Sequence, residues 1–146
     1  MIEARGVSLS LGGQMVLRGV DARFNRGRIT AVIGANGAGK TSLIRALAGL
    51  TDLQAGHVEI DGAQVAAMSH PERARLIGYL PQDGEPAWNV SARELVSLGR
   101  LPQRSRFALP SGPDMAAMEQ AMIDTDALRF AHRPVATLSG SEWPRV

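Results

Sequence analysis

Apolar and polar positions alternate at the start of the chain. Val7, Leu9 and Leu11 stand against Ser8 and Ser10, which predicts a strand over Ile2 to Leu11 with one buried face. Gly12-Gly13 is a two-residue turn signal, and Val16 to Phe24 reads as the returning strand. After a second turn at Asn25-Arg26-Gly27 the pattern changes. Ile29-Thr30-Ala31-Val32-Ile33 is nearly continuously apolar, as in a strand buried on both faces of a parallel sheet. A helical period follows. Leu43, Ile44, Leu47 and Ala48 line one side of a helix predicted from Thr41 to Ala48, with Gly49 placed to stop it.

Farther along, His57 to Ile60 is a short predicted strand ended by Asp61-Gly62. Ser69-His70-Pro71-Glu72 carries the Ser-x-x-Glu capping box with an early proline, so a short helix begins there. Leu76 to Leu80 reads as another strand. Ser91-Ala92-Arg93-Glu94 is a second capping box, opening a helix to about Arg100. Leu101 to Pro113 holds three prolines and a glycine and reads as a mobile surface loop. Asp114 to Ile123 is predicted helical, and Asp126 to Ala131 adds a further turn or two. Strands alternate with helices, so the fold class is α/β.

At 146 residues the chain can bury one core. The 45% hydrophobic and 21% charged residues are an ordinary globular balance. A net charge of +2 is too small to argue for nucleic acid or an anionic membrane surface, and nucleic acid is not expected as a partner. The absence of cysteine excludes disulfides and thiolate metal sites. No apolar run approaches a membrane span, and the first residues lack the layout of a secretory signal, so a cytoplasmic protein is expected.

The candidate chemistry sits between the apolar run and the first helix. Gly34-Ala35-Asn36-Gly37-Ala38-Gly39-Lys40-Thr41 fits the phosphate-binding loop G-x-x-x-x-G-K-[ST], followed by Ser42. Lys40 is the only lysine; every other member of the 16 basic residues is arginine. A compact ammonium suits terminal phosphates, and a forked guanidinium differs in shape and hydration. Glycines at 34, 37 and 39 let backbone N–H groups turn toward phosphate oxygens, and the following helix directs its positive end at the same anion. The candidate ligands are ATP and Mg²⁺, with Lys40 on the β and γ phosphates and the Thr41 hydroxyl on the metal.

Two later stretches, Tyr79-Leu80-Pro81-Gln82 and Leu138-Ser139-Gly140-Ser141-Glu142, follow the loop in order. Together the three resemble the nucleotide-binding subunit of ABC transporters, over essentially the whole chain. The resemblance implies a phosphate-loop NTPase fold of the ABC type. That fold has an N-terminal antiparallel β portion, a helical subdomain and a core sheet that is incomplete here. It divides the chain into a core at 1–82, a helical subdomain at 83–137, and the signature segment with the start of its helix at 138–146. Gln82 looks like the glutamine that senses the γ-phosphate and Mg²⁺. Ser139 and Gly140 look like the residues that close over ATP held by a second subunit, and Ser139 with Glu142 also reads as a capping box. Val96-Ser97-Leu98-Gly99-Arg100-Leu101-Pro102 is similar to the ATPases of iron-siderophore, haem or cobalamin importers. The implied partners are a second ATP-binding subunit, as a homodimer, and membrane permease subunits at the inner face of the cell membrane.

The chain also departs from the family pattern. Leu11 stands where the family places an aromatic residue on adenine. Ser141 replaces the second signature glycine, and Pro144 a glutamine. The family's Mg²⁺-binding aspartate, catalytic glutamate and switch histidine lie beyond Val146, so no catalytic residue is assigned and hydrolysis by these 146 residues is not expected. The Ile29–Ile33 strand would expect parallel neighbours from that region, and its apolar edge would invite aggregation without them. The signature helix would have about two turns. These features point to a fragment, a frameshifted product or half of a split gene. The alternative readings are a non-hydrolysing nucleotide-binding or pairing module and a degenerate product. A small-molecule kinase would share the loop but explains neither Gln82 nor the 138–142 stretch.

Overall fold

The computed structural model describes residues 1–82, 89–105 and 108–146. Its described residues form two compact units, Met1–Tyr79 and Leu80–Val146. The expected boundary at 83 touches residues 83–88, and residues 106 and 107 belong to the expected Leu101–Pro113 loop; both stretches lie outside the described residues.

In the first unit, β1 (Ile2–Leu11) and β2 (Gln14–Phe24) form an antiparallel hairpin. Gly12 and Gly13 both have positive φ, 56° and 81°, which matches the twist of a two-residue hairpin turn. β3 (Ala55–Ile60) pairs with the other edge of β1, and the two-residue β4 (Ala63–Gln64) follows the Asp61-Gly62 turn, giving the order β2-β1-β3-β4. The alternation of β1 changes parity within the strand. Ala4 is buried, and then Val7 and Leu9 are, because the pairing shifts between Ala4 and Val7. Side chains cover the resulting gaps in the ladder: Gly6 N–H donates to Asp21 Oδ1 at 2.7 Å and Gly19 N–H to Ser8 Oγ at 2.9 Å. The inner face packs against Ala46 and Leu47 of α1 (Lys40–Leu47), with Leu17, Val58, Ile60 and Val65 completing the core. α1 ends as predicted at Gly49. Gly49 N–H donates to Ala46 O and Leu50 N–H to Arg45 O, the paired bonds of a Schellman stop. α2 (His70–Leu76) opens with the complete Ser69–Glu72 capping box.

Two predicted strands do not form. Ile29–Ile33 joins no ladder, and Ile29 and Ile33 are 103% and 89% exposed. Leu76 closes α2, Ile77 to Leu80 is irregular, and Leu80 is 88% exposed. An apolar run becomes a buried strand only where neighbouring strands satisfy its backbone and cover both faces. Among the described residues, none takes that place.

The second unit contains α3 (Ala92–Leu98) and α4 (Gly112–Asp124) around a core of Ala92, Met122, Ala127, Phe130, Ala131 and Val135. The Ser91–Glu94 capping box is complete as predicted. The two ends of the expected loop at 101–113 are more ordered than its prolines suggest. Leu101–Gln103 is a 3₁₀ turn, and Gly112 and Pro113 already belong to α4, which begins on a Ser111–Asp114 capping box. Aspartate at the third helical position takes the place of glutamate there, which is why the sequence pattern missed it. The further turn expected after Asp126 is a 3₁₀ turn at Leu128–Phe130. The signature helix is likewise only a 3₁₀ turn, Trp143–Arg145.

Candidate functional site

The loop at 34–39 is held by its own backbone and by β2. Ala38 N–H donates to Ala35 O at 3.2 Å, and Leu43 N–H to Gly39 O at 2.8 Å. Gly37 and Gly39 take φ of 80° and 88°, conformations that side chains strain. At Gly39 space is also limiting. A Cβ there would lie 3.1 Å from both the Val16 carbonyl oxygen and Leu17 Cδ2. The last loop glycine therefore lets the start of α1 sit directly on β2, close to the hairpin end that carries the exposed Leu11.

Lys40 bends back over this loop. Its ammonium donates to the carbonyl oxygens of Gly34 and Ala35, each at 2.8 Å. Two of its three N–H bonds thus fix the amine over the loop, and one remains to be directed at an anion. Among the described residues, the start of α1 differs from those of α2, α3 and α4. α2, α3 and α4 each begin on a serine box with an acidic third residue, whereas α1 begins on Gly39 with no side-chain cap and no acid in its first turn. Its first N–H groups lack partners within the helix, and no local carboxylate opposes the positive helix end. Thr41 is exposed and Ser42 half-buried in the same turn. This combination of glycine cradle, ammonium, free helix start and hydroxyl fits a nucleotide's terminal phosphates with a hydroxyl-bound Mg²⁺.

Gln82 is exposed and lies in the second unit. The 138–142 segment belongs to that unit too. Leu138 anchors it, half-buried against the core together with Trp143 and Val146. Ser139, Gly140 and Ser141 are exposed. Only half of the expected Ser139 capping box is made. Ser139 N–H donates to Glu142 Oε2 at 2.8 Å, but the Ser139 hydroxyl meets the Ser141 hydroxyl at 3.2 Å. The serine in place of the second signature glycine thus gives the Ser139 hydroxyl a neighbour that glycine would not. The Ser139 N–H and then the Ser139 side chain, followed by Arg133, hold the Glu142 carboxyl below its ordinary value of 4.5. Arg133, which no motif singles out, donates to Glu142 Oε1 at 3.0 Å and to Thr137 O at 2.7 Å. Only the folded arrangement shows this contact.

Residues 17–146 match the family described as ABC transporter. The chain is 37% identical over 145 residues to the cobalamin import ATP-binding protein BtuD of Halobacterium salinarum, covering 99% of this chain and 36% of that protein. It is 38% identical over 143 residues to the hemin import ATP-binding protein HmuV of Streptomyces coelicolor, covering 98% of this chain and 50% of the relative. The fold is similar, with a TM-score of 0.78 at 21% identity, to a dimeric ATP-binding cassette in a post-hydrolysis state bound to ADP and Pi; the match covers 99% of this chain and 66% of that one. The chain thus spans half or less of the length of these two curated relatives. Matching that family over residues 17–146, the chain belongs to the ABC transporter family.

Proposed function

We propose that this chain supplies the ATP-binding part of an importer's ATPase subunit. The observation that carries the reading is the loop geometry: Lys40 arched over Gly34 and Ala35, glycines in the left-handed region, and a helix start free of side-chain caps. The loop backbone and Lys40 bind the β and γ phosphates, and the Thr41 hydroxyl would hold Mg²⁺. When bound, Mg²⁺ would supply positive charge against the phosphates. Ser139 and Gly140 complete the site of a second subunit, and the paired subunits act on membrane permease subunits from the cytoplasmic face. The substrate class is an iron-siderophore, haem or cobalamin-like compound, supported by the import functions named for the curated relatives.

The test is titration of the chain with a fluorescent ATP analogue and Mg²⁺. Lys40→Ala removes a charged donor, worth about 1.5–3 kcal/mol, and is expected to weaken binding about 10- to 150-fold with unchanged circular dichroism. Affinity equal to that of the wild type would overturn the assignment.

A further inference from the structure

The signature segment is organised from outside itself. Arg133 lies between the core of the second unit and residues 137–142. Its backbone is tied at both ends: its N–H donates to Phe130 O at 2.8 Å, and its carbonyl accepts from Ala92 N–H, at the start of α3, at 3.0 Å. Its guanidinium lies 5.4 Å from the ring centroid of buried Phe130. From that anchored position the fork works in two directions. One arm donates to Thr137 O at 2.7 Å and the other to Glu142 Oε1 at 3.0 Å. The second oxygen of Glu142 accepts the Ser139 N–H at 2.8 Å. The chain of contacts therefore runs from α3 and Phe130 through Arg133 and Glu142 to the backbone of Ser139. Two other cations nearby, Arg129 over the same Phe130 ring and Arg145, pair with Asp126 at 3.0 and 2.7 Å.

We infer that Arg133 is a positioning residue for the signature serine: by orienting Glu142 it holds the Ser139 backbone, and with it the exposed Ser139–Gly140 turn that meets a partner's nucleotide phosphate. In a complete capping box the serine hydroxyl is consumed by the backbone N–H three residues on. Here the carboxylate takes the Ser139 N–H, as in the complete boxes, and is pinned by Arg133, while the Ser139 hydroxyl meets Ser141 instead of the Glu142 N–H. Lysine cannot replace this function, because a single ammonium does not present two fixed, divergent donors. The inference rests on the proposed role of Ser139 and Gly140 at a second subunit's nucleotide.

The experiment has two readouts on the wild-type chain, Arg133→Lys and Glu142→Gln. The first is the Ser139 amide resonance during an acid titration. In the wild type it follows the titration of Glu142. In Arg133→Lys it is expected to lose that dependence and to exchange with solvent about tenfold faster or more. The second is self-association driven by Mg-ATP, measured by sedimentation. It is expected to weaken about tenfold or more in both variants, while binding of the fluorescent ATP analogue by Arg133→Lys stays within about twofold. Melting temperatures check that the variants fold. A Ser139 amide and an association that both ignore Arg133→Lys would overturn the inference. A wild-type chain that binds Mg-ATP without pairing would sink the proposed role of the signature instead. The amide titration alone then decides Arg133: dependence supports its positioning role, and independence refutes it.

Discussion

Single residues show how sequence signals acquire a second meaning in the fold. Gly49 is legible as a helix stop, and the Schellman bonds bear this out. Its other role is steric. With φ at 65°, a Cβ at Gly49 would stand 2.6 Å from Val65 Cγ1, which belongs to the core. Gly49→Ala therefore combines backbone strain with overpacking and should destabilise the first unit by about 1–3 kcal/mol in urea unfolding. A loss below a few tenths of a kcal/mol would show that the stop tolerates a side chain. Gly39 follows the same logic. The phosphate-loop pattern calls for a glycine there, yet only the packing of α1 on Val16 and Leu17 shows that the pattern also protects a contact with β2. Leu11, where the family pattern places an aromatic residue, is exposed beside the hairpin turn.

Among the elements, local chemistry was read correctly where it was self-contained. The boxes at Ser69 and Ser91 are closed loops of four residues, and both formed as predicted. The Ser111 box followed the same physics with aspartate and was overlooked. It also recruits a distant partner, since Arg100 donates to Asp114 Oδ1 at 2.9 Å. Ser111→Ala should cost about 0.5–2 kcal/mol of stability in the second unit and fray the start of α4, measurable by amide exchange at residues 112–115. Unchanged protection there would mean that Asp114 and Arg100 hold the helix without the serine. The Ser139 box shows the opposite case. Its sequence matches the same pattern and Glu142 accepts the Ser139 N–H, but the Ser139 hydroxyl meets Ser141 and only a 3₁₀ turn follows. The apolar runs at 29–33 and 76–80 failed for a further reason: a strand is half of a pair, and its partner is not encoded within it.

For the molecule as a whole, the two units share one electrostatic device. Arg26, with the Met1 amino group, holds the Asp61 carboxyl at about 2 in the first unit; the Ser111 hydroxyl and N–H, with Arg100, hold Asp114 at about 2 in the second. Both values lie below the ordinary 3.8, so the unfolded chain binds protons more readily than the folded one in acid. Their contribution to stability is complete above pH 4 and disappears as the pH falls toward 2. Urea midpoints should therefore drop across this window, and Asp114→Asn should flatten the drop for the second unit. An identical acid slope in that variant would place the sensitivity elsewhere. The sequence by itself determined the phosphate loop, the hairpin, the α1 stop, two capping boxes and the order of the family's stretches, because each is settled by residues close together in the chain. The tertiary structure alone decided that the two apolar runs stay unpaired, that Gly39 and Gly49 are packing positions, and that Arg133 reaches Glu142. Those outcomes depend on which distant groups meet, and a contact between segments is a property of both partners at once.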